Sequence, residues 1–279
     1  MKVPLPIQEG RKKKCVMRIS SASLFFVVAL IAMPLGSGKA YALDASSVLG
    51  EEARSTTVFQ LFFGFLREGK EDDAVGVLKY AADQGDSAAQ WKLARLYEVG
   101  DSGVKRDPLE AFKMYERIAS AYPLARPDTP QWQFSANALV ALGNYYRKGI
   151  PGTLVSVDHG KAQMMYTTAA MVFRHPDAQF ELGRMQIEND QVFGQGRLGV
   201  RNLGLAHEKG HVGAEALLGY AFIEGVHAKR DVVRGLVMLR SALQRAEPRE
   251  REWISALHDE AYALARPEDR AQAVNQTSQ

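Results

Sequence analysis

The sequence predicts an all-α fold: an α/α solenoid of helix-pair repeats closed by a C-terminal capping helix. The first observation is a returning block of small and large residues. Ala74-Leu78-Ala81-Ala82-Gly85 comes back as Ala111-Tyr115-Ile118-Ala119, Ala162-Tyr166-Ala169-Ala170, Gly199-Leu203-Ala206-Gly210 and Gly235-Leu239-Ala242. The second is another block lying between these: Ala89-Leu93-Ala94-Tyr97, Ala138-Leu142-Gly143-Tyr146, Ala178-Leu182-Gly183 and Ala214-Leu218-Gly219. Within each block the apolar positions fall three or four apart, which gathers them on one face of a helix. The second block starts at 89, 138, 178 and 214, with steps of 49, 40 and 36 residues. A lone helix pair cannot bury its apolar face, so pairs repeated at such a period must stack. No stretch alternates with period two for long, which argues against a sheet.

Each element then follows in order. Val58 to Leu66, with Phe59, Leu61, Phe62, Phe63 and Phe65, reads as a first helix covered by a neighbour, and Gly69 ends it. Glu71 to Gln84 is the second helix. Small residues at 111, 119, 162 and 170 let backbones approach, while Tyr97, Tyr115, Tyr146 and Tyr166 fill the wider gaps between layers. Asp107, Asp158 and Asp231 each precede a second helix as N-caps, and Pro108 takes the first helical position. Gly100, Gly149 and Gly225 follow first helices, where glycine turns the chain at low steric cost. Pro123, Pro127 and Pro130 mark an exposed loop that lengthens the first step. Pro248 opens a last helix with Trp253, Leu257, Ala261 and Leu264 on one stripe, the cap of the array. The solenoid is expected over 58–266, and the polar residues 267–279 as a disordered tail.

The N-terminus reads as a targeting segment. Arg11, Lys12, Lys13, Lys14 and Arg18 precede an apolar stretch from Leu24 to Met33, and Ala40-Tyr41-Ala42 fits a small-x-small cleavage site. The apolar stretch is about half of the roughly 20 residues a spanning helix needs, so a signal peptide over 1–42 is expected, then a lead-in over 43–57. The whole chain has 35 basic and 32 acidic residues; the segment 1–42 holds seven of the former and one of the latter, leaving 28 against 31. The apparent basicity belongs to the leader, and no basic face for nucleic acid survives. The single cysteine, Cys15, also lies in the leader, so the remaining chain must fold without disulfides. An exported chain of this kind fits a periplasm.

Two motifs resemble chemistry. His207-Glu208-Lys209-Gly210-His211 satisfies the H-E-x-x-H pattern, in which two histidines one turn apart on a helix hold zinc. Gly210 aligns with Gly85, however, which ends a second helix and would place His211 beyond it. Gly194-x-Gly196-x-x-Gly199 satisfies a dinucleotide pattern, but a helix precedes it where a strand is required, and an interhelical turn is the expected reading. No G-x-S-x-G is present, and His159, His175, His227 and His258 lack ligand spacing, as exposed loop or end positions would. The expectation is a chain that is not an enzyme, with no metal, cofactor or small-molecule substrate.

A binding face can be placed. Positions two and six after each leading alanine of the first helices share one stripe: Trp91 and Arg95, Val140 and Asn144, Phe180 and Arg184, Ala216 and Tyr220. First helices line the inner side of a superhelix, and aromatic residues with arginine favour binding, so Trp91, Arg95, Asn144, Phe180, Arg184 and Tyr220 are the candidate partner contacts. Packing between repeats is the competing use of the same stripe. Trp91, Trp132 and Trp253 are likewise either core residues or interface anchors.

With these blocks in hand, the chain resembles the Sel1-like, TPR-related repeat proteins, through Ala89-x3-Leu93-Ala94-x2-Tyr97, Gly100, Gly103-Val104, Asp107 and Ala111-x3-Tyr115. The leader, the segment SAAQWKLARLYEVGDSGVKRDPLEAF, the PDTP loop, ALGNYYRKGIPG and KGHVGAEALLG more closely resemble the ExoR family of exopolysaccharide regulators. That resemblance implies a periplasmic negative regulator that binds the sensing domain of a membrane histidine kinase. It implies repression of two-component signalling over exopolysaccharide synthesis and motility, relieved when a periplasmic protease removes the regulator in acid. His207 and His211, close in sequence and able to repel when protonated, are the candidate pH-sensing pair. The competing readings are an exported hydrolase built on HEKGH and a scaffold for envelope assembly.

Overall fold

The computed structural model describes residues 51–277, apart from 122, 124, 128 and 190–193. The expected signal peptide over 1–42 and the first part of the lead-in lie outside the described residues, as do 278 and 279. Twelve helices follow one another, and no strand occurs among the described residues. They are α1 (Glu51–Arg67), α2 (Glu71–Asp83), α3 (Ser87–Val99), α4 (Pro108–Ser120), α5 (Pro130–Lys148) and α6 (His159–Met171). Then come α7 (Pro176–Glu188), α8 (Gly196–His207), α9 (Val212–Glu224), α10 (Val232–Arg245), α11 (Pro248–Leu264) and α12 (Pro267–Thr277).

The repeats are the pairs α3–α4, α5–α6, α7–α8 and α9–α10, with α1–α2 stacked before them. First helices also touch first helices: α1 meets α3, α3 meets α5, α7 meets α9, and α9 meets α11. The repeated small and large residues make the core. Leu93, Leu142, Leu182 and Leu218 are buried on the first helices, and Tyr115, Tyr166, Leu203 and Leu239 are fully buried on the second. At about 25 cal/mol per Å² of apolar area, this packing between layers is the main stabilising term.

The loops repeat as closely as the helices do. Asp107, Asp158 and Asp231 cap α4, α6 and α10, accepting from Leu109 and Glu110, from Lys161 and from Arg234 backbone N–H groups. Their own N–H groups donate back to Tyr97, Tyr146 and Phe222 carbonyls at 2.8, 2.7 and 2.8 Å, tying each loop to the helix it leaves. Gly100, Gly149 and Gly225 all have positive φ, as turns at these points require. Three further caps are Asp86 on α3, Thr129 on α5 with Pro130 in its first turn, and His211 on α9; the first two are residue types that favour this position, and His211 carried no such signal.

Two boundaries differ from expectation. The first helix is already formed at Glu51, ahead of the expected start at 58, and Ser55 Oγ anchors it to Asp86 at 2.7 Å. The polar residues expected as a disordered tail form α12 as far as Thr277 and pack on α10. Ala273 is buried, and Arg270 donates to the Ala265 and Ala263 carbonyls at 2.9 and 2.8 Å. One small inward residue and an arginine reaching the end of α11 hold a helix that is otherwise polar. The array is therefore closed by α11 and α12 together.

Candidate partner-binding face

The six stripe residues lie on α3, α5, α7 and α9, but they do not form one uniform surface. Val140 and Ala216, which share the spacing, are buried. Trp91 is half-buried, its ring 5.3 Å from Tyr115 and 6.2 Å from Phe134. Arg95 is exposed and donates to Glu98 Oε2 at 2.5 Å, and the same carboxylate oxygen accepts from the Tyr115 hydroxyl at 3.1 Å. Asn144 Oδ1 accepts from the Tyr166 hydroxyl at 2.8 Å. Burial first, and then the Glu98 carboxylate, pushes the Tyr115 and Tyr145 phenols up; burial and Glu181 do the same to Tyr166.

The third rung is an ionic cluster. Arg184 donates to Glu181 at 2.5 and 3.2 Å and to Glu188 at 3.3 Å, while Arg147 on α5 lies 3.9 Å from Glu181. Burial outweighs the arginines at Glu188 and raises its carboxyl above the usual range. Phe180 stacks on the His211 ring at 4.4 Å, and the Arg184 guanidinium lies 6.0 Å from the Phe180 ring centroid. On the fourth rung the Tyr220 phenol is pushed up to about 12, by burial and then by Glu224 and Glu260. Sequence spacing could have found Glu98, Glu181 and Glu188, which stand three or four residues from Arg95 and Arg184. The cross-helix partners Tyr115, Tyr166 and Arg147 have no local signal.

The histidines of HEKGH fall on two helices. His207 closes α8, Gly210 has φ +82°, and His211 is the N-cap of α9. Its Nδ1 accepts from the Ala214 N–H at 3.1 Å, and its Nε2 faces Asp177 at 3.6 Å. Zinc proteases need both histidines one turn apart on one helix, so the pattern here is a helix boundary. The proton arrangement matters for the pH expectation: this cap exists only while Nδ1 is unprotonated, whereas a cationic His211 would be drawn to Asp177. Sequence reasoning also missed His175, the N-cap residue of α7. It is half-buried, not exposed; its Nε2 pairs with Asn137 Oδ1 at 2.7 Å, and its Nδ1 is buried without a partner. Burial lowers its pKa, opposed by Asp177 and reinforced by Lys209 and His211. His227 packs against Gly196, where a Cβ would come 2.4 Å from the imidazole. Gly196 and Gly199 of the glycine pattern thus serve close packing at the start of α8.

No grouping of three or more ligand side chains occurs among the described residues, and no described helix is long and apolar enough to cross a membrane. Paired helices stacked on their first-helix faces define a Sel1 repeat array, and the Sel1 repeat family matches residues 87–122, 136–171 and 212–245. A Sel1 repeat protein from Oxalobacter formigenes shares this fold, with a TM-score of 0.55 and 21% identity over 74% of this chain and 77% of that one. The particular family is given by nearer relatives. Two proteins named exopolysaccharide production negative regulator, from Rhizobium meliloti (strain 1021) and Rhizobium leguminosarum bv. viciae, are each 34% identical to it. The first match covers 88% of this chain and 91% of the relative, the second 86% and 87%. The chain belongs to this family of Sel1-repeat exopolysaccharide regulators.

Proposed function

We propose that the protein is an exported negative regulator of exopolysaccharide production. It holds the periplasmic sensing domain of a membrane histidine kinase and so represses two-component signalling over exopolysaccharide synthesis and motility. The carrying observation is the near full-length identity to two relatives bearing that regulatory name. The physical support is a first-helix stripe that carries aromatic and arginine side chains, with Arg95 exposed, the types that anchor protein interfaces. In this reading Trp91, Arg95, Asn144, Phe180, Arg184 and Tyr220 meet the kinase, the leader over 1–42 directs export, and removal by a periplasmic protease ends repression. The regulator works by occupancy, without catalysis or cofactor. Acid acts through the imidazoles at the α8–α9 turn, where protonated His211 exchanges its cap for Asp177.

Deleting the gene is expected to raise exopolysaccharide output, and the wild-type chain to bind the purified kinase sensing domain. Arg95 is exposed, so Arg95→Glu combined with Trp91→Ala should weaken that binding about tenfold or more. Unchanged exopolysaccharide in the deletion strain would end the regulatory reading; full binding by the double variant would remove this face from it.

A further inference from the structure

The turn into α7 gathers basic groups from three elements at the positive end of a helix. His175 is the N-cap residue there, on the boundary between the front repeats (α3–α6) and the back repeats (α7–α10). Arg174 before it has φ +52°, a left-handed conformation that a non-glycine residue keeps where its surroundings fix it, and its side chain is exposed. Lys209, from the turn after α8, supplies part of that fixing. Its Nζ donates to the Arg174 carbonyl and, at 2.8 Å, to Gln179 Oε1. His211, the N-cap of α9, lays its ring on Phe180 of α7. Asp177 is the acidic residue of the first turn, and its side chain is exposed. Across the seam stands Asn137 of α5, an uncharged amide.

Geometry sets the proton arrangement of the His175–Asn137 pair. His175 Nε2 lies 2.7 Å from Asn137 Oδ1, an atom that only accepts, so Nε2 carries the proton. Nδ1 is then the bare nitrogen, buried and without a partner. A second proton must go on Nδ1, where it meets no acceptor. The resulting cation would sit at a helix N-terminus beside Lys209 and His211, with Asp177 as the opposing charge. Burial points the same way and holds the imidazole pKa below its ordinary value. Opening the turn returns the ring to water, where the ordinary value near 6.5 applies. Protons therefore favour the open turn. The bias begins as pH falls through about 6.5 and grows until the closed form also takes up the proton. The first-helix stripe crosses this same seam, with Asn144 on α5 and Phe180 and Arg184 on α7.

We infer that His175 and Asn137 form a proton-operated latch between the front and back halves. It is closed while the imidazole is neutral; in acid the start of α7 lets go of α5, and the first-helix face parts between Asn144 and Phe180. The inference rests on the reading that this face holds a protein partner, and it names the residue through which acid ends the hold. Two measurements separate the latch from that reading. Hydrogen exchange of the purified chain, corrected for the intrinsic rate, reads the latch alone, at the residue 175 and Gln179 amides, which donate to the Ala169 and His175 carbonyls. Binding of the purified kinase sensing domain reads the face. Between pH 7.5 and 5.5, wild-type protection at these amides should fall about three- to tenfold further than in α10, and binding should weaken in step. His175→Gln keeps a donor for Asn137 without the titration, so both quantities should hold steady. Asn137→Asp sets a carboxylate opposite the imidazole, so acid should tighten the latch instead. Equal acid responses in wild type and His175→Gln would overturn the latch. Should His175→Gln be open at every pH, the sign in Asn137→Asp decides, and loosening in acid there would reject it. A latch that opens in acid with kinase binding intact would keep the device and remove the first-helix face as the partner's seat.

Discussion

The first two repeats and the last two solve the same packing problem in different ways. In α3–α6 the second helix carries a fully buried tyrosine, Tyr115 or Tyr166, whose hydroxyl reaches through the layer to Glu98 or Asn144 on the first-helix face. In α7–α10 the equivalent residues are Leu203 and Leu239, and the small residue four before each is glycine. There the backbones nearly touch: a Cβ on Gly199 would lie 2.7 Å from the Gly183 carbonyl oxygen, and one on Gly235 would lie 2.5 Å from that of Gly219. The front half thus couples its core to its first-helix face through hydroxyls, and the back half brings glycine backbones into close contact. One repeat pattern tolerates both because what must be kept constant is the volume filled between layers.

This contrast can be broken most severely at the glycines. Gly235→Ala should cost about 1–3 kcal/mol in urea unfolding, since both obstructing groups belong to a packed helix, one of them backbone. Gly204 is also helical, but a Cβ there would meet nothing within 4 Å, so Gly204→Ala should gain up to about 1 kcal/mol from helix propensity. The same sign for both would mean the close contact is not formed. In the front half, Tyr166→Phe removes the bond to Asn144 and keeps the ring, and should cost about 1 kcal/mol by the same measurement. A cost near zero would reduce the hydroxyl to a spectator.

The smallest effect lies at the seam between the halves, where His175 of α7 pairs with Asn137 of α5. Burial holds the folded pKa of His175 below its unfolded value, so the unfolded chain binds the extra proton. Stability is therefore full above about pH 6.5 and declines as pH falls below it, by at most about 1.4 kcal/mol per pH unit and less because the ring is partly exposed. Asp177 on α7 opposes this decline, while Lys209 and His211 from the α8–α9 turn add to it. Urea midpoints between pH 7.5 and 5 should show a slope in the wild type that His175→Gln reduces; equal slopes would remove His175 from the acid response.

Where sequence and structure agree, the signal is local and repeated. Asp107, Asp158 and Asp231 cap as expected because an N-cap needs only its own carboxylate and the next amides. Gly210 ends its helix as Gly85 does, which is enough to split HEKGH. The stripe is less legible. Its spacing places Arg95 and Trp91 on one helix face but does not tell that Val140 and Ala216 are buried, nor that Arg184 is held by Glu181 and Glu188. Polar residues 267–277 carry too few apolar positions to announce α12, which depends on α10 and α11 being there to receive it.

The order of helices, their caps and the periodic core are properties of short windows of chain, so residues 58–264 determined them unaided. Which hydroxyl meets which side chain across a layer, and how near two glycine backbones come, depend on residues brought together from different helices. Those outcomes are decided by how layers rotate and settle on each other, and only the tertiary structure contains that information.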